Sequence, residues 1–143
     1  MLYLDTSLIV AGVVRETVTP LAQVWLQERS VEELLISEWT FTEMSSALAI
    51  KLRTGQINLD QRAAAMALFQ SLVAENFKVL HVRSRHFRQA AQFADQHGLG
   101  LRAGDALHLA VAAENGATVH TLDHRLASAG PALGVPTQLM VWS

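Results

Sequence analysis

Met1-Leu-Tyr-Leu-Asp5-Thr-Ser7-Leu-Ile9 is an apolar run that reaches an acid and a hydroxyl pair, after which apolar residues resume. Leu2 to Leu4 reads as a buried strand, too short for a helix and too apolar for a surface segment. Asp5 then falls where strand gives way to helix, with Thr6 or Ser7 available to cap the helix that follows. Ligands of open parallel α/β sheets bind beyond the carboxyl ends of the strands, so a carboxylate there is well placed for chemistry. The plainer alternative is that Asp5 only caps a helix, a common use of Asp.

Outward from this stretch, strand-like and helix-like segments alternate. Strands are expected at Leu34–Ser37, Lys78–Val82, Ala117–Leu122 and Thr137–Val141. Helices are expected at Ser7–Val14, Pro20–Arg29, Trp39–Leu52, Leu59–Asn76, Ser84–His97, Ala103–Asn115 and Arg125–Ala129. Asn58 reads as an N-cap, Thr54-Gly55 and Asn115-Gly116 as helix ends, and Gly130-Pro131 as loop. Leu21, Val24 and Trp25 recur at helical spacing, and Trp25 reads as core rather than as a ligand platform. Leu59, Ala63, Met66, Phe69 and Val73 form a packing stripe. Strands alternating with helices through short loops predict an α/β fold with a mainly parallel sheet of about five strands. Right-handed crossovers then bring successive strand ends to one edge.

The chain has 143 residues, which fits one domain spanning 1–143 with a core of its own. Cysteine is absent, so disulfides and thiolate metal sites are excluded. No apolar run approaches the ~20 residues of a membrane helix, and no secretory signal is evident, so a cytoplasmic protein is expected. The net charge of −2 argues against a simple electrostatic nucleic-acid binder. It leaves room for an enzyme that works on nucleic acid with acids and holds the backbone with a few arginines. Lys51 and Lys78 are the only lysines, and Arg suits paired phosphate contacts better. Arg83, Arg85, His86 and Arg88 cluster at a helix start, where they fit a phosphate-facing patch and a solvated helix face equally well.

Three further acids can reach the edge where Asp5 lies. Glu43 shares a helix face with Trp39, Ala47 and Ile50, poor neighbours for an unpartnered charge. Asp105 opens a helix, Ala103–Asn115, that is apolar nearly all round and so is expected to be central. Asp123 follows a strand directly and repeats the setting of Asp5. Two unit charges ~4 Å apart repel by about 4 kcal/mol at an effective dielectric of ~20. Four gathered carboxylates therefore require protonation or a cation. All-oxygen ligands select Mg²⁺ or Mn²⁺ over Zn²⁺, and such an ion suits phosphoryl chemistry.

Leu-Tyr-Leu-Asp5-Thr-Ser7, Glu43 in a helix running to Ala47-Leu48, Gly104-Asp105-Ala-Leu-His-Leu-Ala110 and Thr121-Leu-Asp123 together resemble the PIN domain. More closely, they are similar to the VapC-type ribonuclease toxins of toxin–antitoxin pairs. The resemblance spans essentially the whole chain. It implies a three-layer α/β/α sandwich, Mg²⁺-dependent cleavage of RNA, a homodimer, and inhibition by a cognate antitoxin. Asp5, Glu43, Asp105 and Asp123 match the family's acidic quartet, both catalytic and metal-holding, with Asp5 and Asp105 the most direct ligands. Ser7 and Thr121 match supporting hydroxyl residues. His124 and Arg125 fall where the family varies and receive no fixed role. His108 fits either a support behind the site or a satisfied core residue, and Arg102 either a phosphate contact or a surface residue.

Rival readings are a housekeeping RNA-processing nuclease, a non-catalytic module that binds RNA or protein, and an enzyme phosphorylated on Asp5. The last is weak. Such hydrolases carry an acid where this chain has Ser7, and they need a late lysine, whereas none follows Lys78.

Overall fold

The computed structural model describes residues 1–142. Five strands, β1 (Leu2–Leu4), β2 (Leu34–Ser37), β3 (Lys78–Leu80), β4 (Thr118–Thr121) and β5 (Thr137–Leu139), form one sheet in the order β3-β2-β1-β4-β5. Every pairing is parallel. Leu2 lies opposite both Leu34 and Thr118, so the first strand occupies the centre. The helices are α1 (Thr6–Val13), α2 (Thr19–Gln27), α3 (Glu38–Arg53), α4 (Leu59–Glu75), α5 (Ser84–Ala94), α6 (Ala103–Glu114) and α7 (His124–Ala132).

Side-chain alternation along the strands builds two cores. Leu4, Leu34 and Ile36 pack with Leu8, Ile9, Leu26, Met44, Leu48, Phe69 and Leu72 of α1 to α4. Tyr3, Leu35 and Val119 face the other way, onto α5, α6 and α7 through Phe93, Leu109, Val111 and Leu126. This is the expected three-layer α/β/α arrangement with a central parallel sheet. Each fully buried aliphatic side chain contributes about 1.5–3 kcal/mol of hydrophobic stabilisation. Helix α6 is buried from Ala106 through Ala112, as its unbroken apolar sequence predicts. It ends at Gly116, whose φ of +61° suits a residue without Cβ.

Other details depart from the sequence-based expectations. Neither Thr6 nor Ser7 caps α1; Asp5 occupies the cap position, without a side-chain capping bond. Leu21 and Val24 face outward, 47% and 53% exposed, and Ala22 and Leu26 form the buried face of α2. Trp25 is half-buried, with the Arg29 guanidinium 3.9 Å from its ring centre. The buried stripe of α4 is Ala65, Phe69 and Leu72, and Leu59 is 71% exposed. The capping residue of α4 is as expected: Asn58 accepts from Gln61 N, and Gln61 returns the bond to Asn58 N, both at 2.8 Å.

Gly130 and Pro131 lie inside α7 rather than in a loop. Pro131 has no N–H for the carbonyl of Ala127 four residues back. The Thr137 hydroxyl donates to that carbonyl at 2.6 Å, so the helix continues without an orphaned acceptor. Among the described residues, no helix is long and apolar enough to cross a membrane.

Candidate active site

The end of β1 delivers Asp5 to the carboxyl edge of the sheet, and its backbone N–H bonds to His120 O at 3.0 Å, tying it to β4. Its side chain, 4% exposed, does not cap α1. Asp5 Oδ2 instead accepts from Ser7 Oγ at 2.6 Å and from Thr121 Oγ1 at 2.7 Å. Each hydroxyl is itself braced. Leu122 N donates to Ser7 Oγ at 3.2 Å, and Asp123 N donates to Thr121 Oγ1 at 2.9 Å. One oxygen of Asp5 is thus fixed by two donors, and Oδ1 has no hydrogen-bond partner among the described residues.

Asp123 has a different arrangement in the same kind of position. Its Oδ1 caps α7, accepting from Arg125 N at 2.8 Å and Leu126 N at 3.3 Å. The bond from its own N–H to Thr121 links it, through one hydroxyl, to Asp5. Glu43 arrives from α3. Its Oε1 accepts from Thr6 Oγ1 at 2.7 Å and is bonded to His108 Nε2 of α6. Its Oε2 lies over Gly104, where a Cβ would come within 2.6 Å of it. Gly104 adjoins Asp105, so α6 needs its glycine where the carboxylate of α3 crosses it. Of the neighbours expected to share the face of Glu43, Trp39 does lie beside it, whereas Ile50 is 45% exposed. The Trp39 indole nitrogen, also against Gly104, is buried without a hydrogen-bond partner among the described residues.

The four acids therefore meet at one edge, and their charges interact. Burial pushes the Asp105 carboxyl up from 3.8, and the charges of Asp5, Asp123 and Glu43 push it further, to about 6. Burial also pushes Glu43 up, but the bond and charge of His108 and the Thr6 hydroxyl outweigh it and hold Glu43 below its ordinary value. His108 is fully buried, which alone would push it down; the Tyr3 oxygen and the Glu43 carboxylate reverse this and raise it to about 10. Its Nδ1 lies 2.6 Å from the Tyr3 hydroxyl.

A cation fits this donor set. Several oxygens converge, part of their charge is uncompensated, and one acid is driven toward protonation. One atom each from Asp5, Glu43 and His108 lie within 4.8 Å of one another, whereas among the described residues Asp105 and Asp123 form no group of three that tight. His108 has both ring nitrogens engaged with protein partners, so the carboxylates are the better candidates. A separate concavity, lined by Val14, Pro20, Lys51, Ile57 and Leu68, lies away from these acids.

Tyr3, Thr6 and the His108–Glu43 bond were not legible as parts of the site. The available signal was chemical: a phenol, a hydroxyl and an imidazole in elements otherwise made of buried apolar residues. The basic cluster at the start of α5 divides. His86 is buried, accepts from Arg83 N at 2.8 Å and bonds Glu114, and Arg85 Nε bonds the same acid at 2.5 Å. Arg83 and Arg88 stay exposed. Nearer the acids, Arg125 lies over the bare face of Gly100, with Nη1 3.4 Å from Gly100 O, and Arg102 is exposed at the start of α6.

The family model described as the PIN domain matches residues 2–130. Among solved structures, FitAcB from Neisseria gonorrhoeae is 24% identical, with a TM-score of 0.72 over 96% of each chain. VapC20 of Mycobacterium tuberculosis, a sarcin-ricin loop cleaving toxin, is 19% identical, with a TM-score of 0.69 over 91% of this chain and 95% of that one. A toxin–antitoxin complex from Klebsiella pneumoniae contains a chain 15% identical, with a TM-score of 0.60 over 90% of this chain and 91% of that one. No curated protein matches the chain in sequence.

Proposed function

The chain belongs to the PIN domain family, and from that premise we propose that it is a Mg²⁺- or Mn²⁺-dependent endoribonuclease, the toxin half of a toxin–antitoxin pair. The observation that carries this reading is the Asp5 carboxylate, held by two hydroxyls at a strand end among acids where burial, and then the charges of Asp5, Asp123 and Glu43, raise Asp105 to about 6. The VapC20 toxin and the toxin–antitoxin complex share the fold, which supports the same assignment. The whole chain acts as one nuclease domain.

Asp5, Glu43, Asp105 and Asp123 hold the ion. When bound, it supplies a water activated at neutral pH and neutralises charge on the leaving oxygen of a phosphodiester. Ser7 and Thr121 hold Asp5 Oδ2, which would leave Oδ1 to bind the ion. Asp123 is oriented by its capping bonds to α7, so the start of that helix sets the direction of its free oxygen. Arg102 and Arg125 flank the acids and hold flanking phosphates of the RNA, offsetting repulsion between a polyanion and an acidic pocket. The outward apolar side chains of α2, Leu21 and Val24, offer contact area to a protein partner, whether the antitoxin or a second copy in a homodimer.

Incubating the purified protein with total cellular RNA, with and without Mg²⁺, and mapping cut ends tests the reading. Cleavage should need the ion, and Asp5→Asn should lower it at least about 100-fold with an unchanged circular dichroism spectrum. Full cleavage by folded Asp5→Asn protein would refute it.

A further inference from the structure

Beneath the acids lies a chain of polar groups that a nuclease pocket does not by itself require. Ser37, Tyr3 and His108 are each 0% exposed, at the end of β2, within β1 and in the middle of α6. The Tyr3 hydroxyl donates to Ser37 Oγ at 2.8 Å and lies 2.6 Å from His108 Nδ1, and His108 Nε2 bonds Glu43 Oε1. The Tyr3 and His108 rings tilt at 59° with centres 5.4 Å apart. Polar groups buried this deeply add little stability over apolar packing of the same shape. Their presence under one carboxylate calls for a role at that carboxylate.

We propose that Tyr3 and His108 are positioning residues that clamp Glu43, turning its Oε1 inward and leaving its Oε2 alone to face a divalent cation. The inference rests on the metal-dependent reading above and deepens it. Donor bookkeeping gives the clamp its direction. The Tyr3 hydroxyl spends its hydrogen on Ser37 and so accepts from His108 Nδ1–H. The other ring nitrogen, Nε2, is turned to the Glu43 carboxylate. With Nδ1 turned to the Tyr3 hydroxyl and Nε2 to Glu43, neither ring nitrogen is left for a metal, although one of them lies within 4.8 Å of an oxygen of Asp5 and of Glu43. Thr6 Oγ1, also within 3.3 Å of His108 Nε2, closes the clamp from the α1 side. With Oε1 held from two sides and Oε2 against Gly104, Glu43 retains little freedom to swing.

Mn²⁺ titration followed by electron paramagnetic resonance reads this without relying on cleavage. Glu43→Gln should weaken Mn²⁺ binding, showing that the signal reports this carboxylate. Tyr3→Phe, which removes one oxygen and keeps the ring, should weaken it about tenfold, the usual effect of removing a group that orients a metal ligand. Pulsed measurement of Mn²⁺ bound to the wild-type chain should show no imidazole nitrogen coupling. That measurement stands even if Tyr3→Phe does not fold. Nitrogen coupling, wild-type affinity in Tyr3→Phe, or wild-type affinity in Glu43→Gln would each overturn the clamp while leaving metal binding in place. A wild-type chain that binds no Mn²⁺ would instead remove the metal-dependent reading, and the clamp with it.

Discussion

Asp5 directly follows β1 and Asp123 lies one residue beyond β4, yet only Asp123 bonds the N–H groups of the helix that follows. Asp123 bonds two backbone N–H groups of α7, whereas Asp5 takes its donors from Ser7 and Thr121. Sequence position alone could not separate them, because the donors of Asp5 come partly from residue 121. Asp105 yields a pH prediction. Its folded carboxyl binds a proton more tightly than an ordinary one, at about 6 rather than 3.8. The folded state therefore holds more protons than the unfolded chain across that window, and stability falls as pH rises through it. The penalty is fully present above about pH 6 and absent below about pH 4. Metal-free Asp105→Asn should thus be more stable than wild type at pH 7.5 by about 1–2 kcal/mol, allowing for solvent screening, and equal to it near pH 4. Urea titrations at the two pH values check this. The clamp was the least legible part of the site: 105 residues separate Tyr3 from His108, and their hydrogen bond follows only from the pairing of two elements.

At the scale of elements, two helical glycines separate function from folding. A Cβ on Gly104 would meet Glu43 Oε2 at 2.6 Å and Trp39 Nε1 at 3.2 Å, so the clamped carboxylate would have to leave its bonds to Thr6 and His108. Alanine favours a helix over glycine by about 1 kcal/mol. Gly104→Ala should therefore still fold, the helical gain offsetting part of the cost of displacing Glu43, and lose most metal-dependent cleavage, as melting curves and RNA assays on the same sample would show. A Cβ on Gly130 would meet Thr137 Cγ2 at 2.2 Å and the Val135 carbonyl oxygen at 2.8 Å, and the latter is backbone. Gly130→Ala should cost about 1–3 kcal/mol in chemical denaturation, by prying α7 from β5. The interior of most elements was legible, since periodicity locates β1, β2 and α6. Their ends and facing were less so. Pro131 reads as a helix breaker until Thr137, on another element, is seen to satisfy Ala127 O. The outward face of α2 contradicts its apolar spacing because Ala22 and Leu26 already fill the space against the core.

For the whole molecule, strand-and-helix alternation was sufficient to anticipate an α/β fold with a mainly parallel sheet, and the family resemblance to anticipate its three layers, but neither stated the strand order. Nothing local in Leu2–Leu4 states that it will have β2 on one side and β4 on the other. The acids meet because of that order. The proposed toxin role makes a prediction at this scale: expression of the chain alone should arrest growth, co-expression of the neighbouring open reading frame should relieve it, and Asp5→Asn should be harmless. Growth curves of the three strains decide the matter, and unrestricted growth of the strain making the wild-type chain would count against a toxin.

The central seat of β1 has a bearing on biosynthesis. During translation the first strand emerges long before β4, its second neighbour, and Asp5 waits without Thr121 until most of the polypeptide has been made. A nascent or prematurely terminated fragment lacking residues 118 to 123 has half a sheet flank missing and no complete set of acids. Assembly of the pocket is thereby deferred until β4 and Asp123 have emerged, so a fragment that stops short of them cannot complete the site.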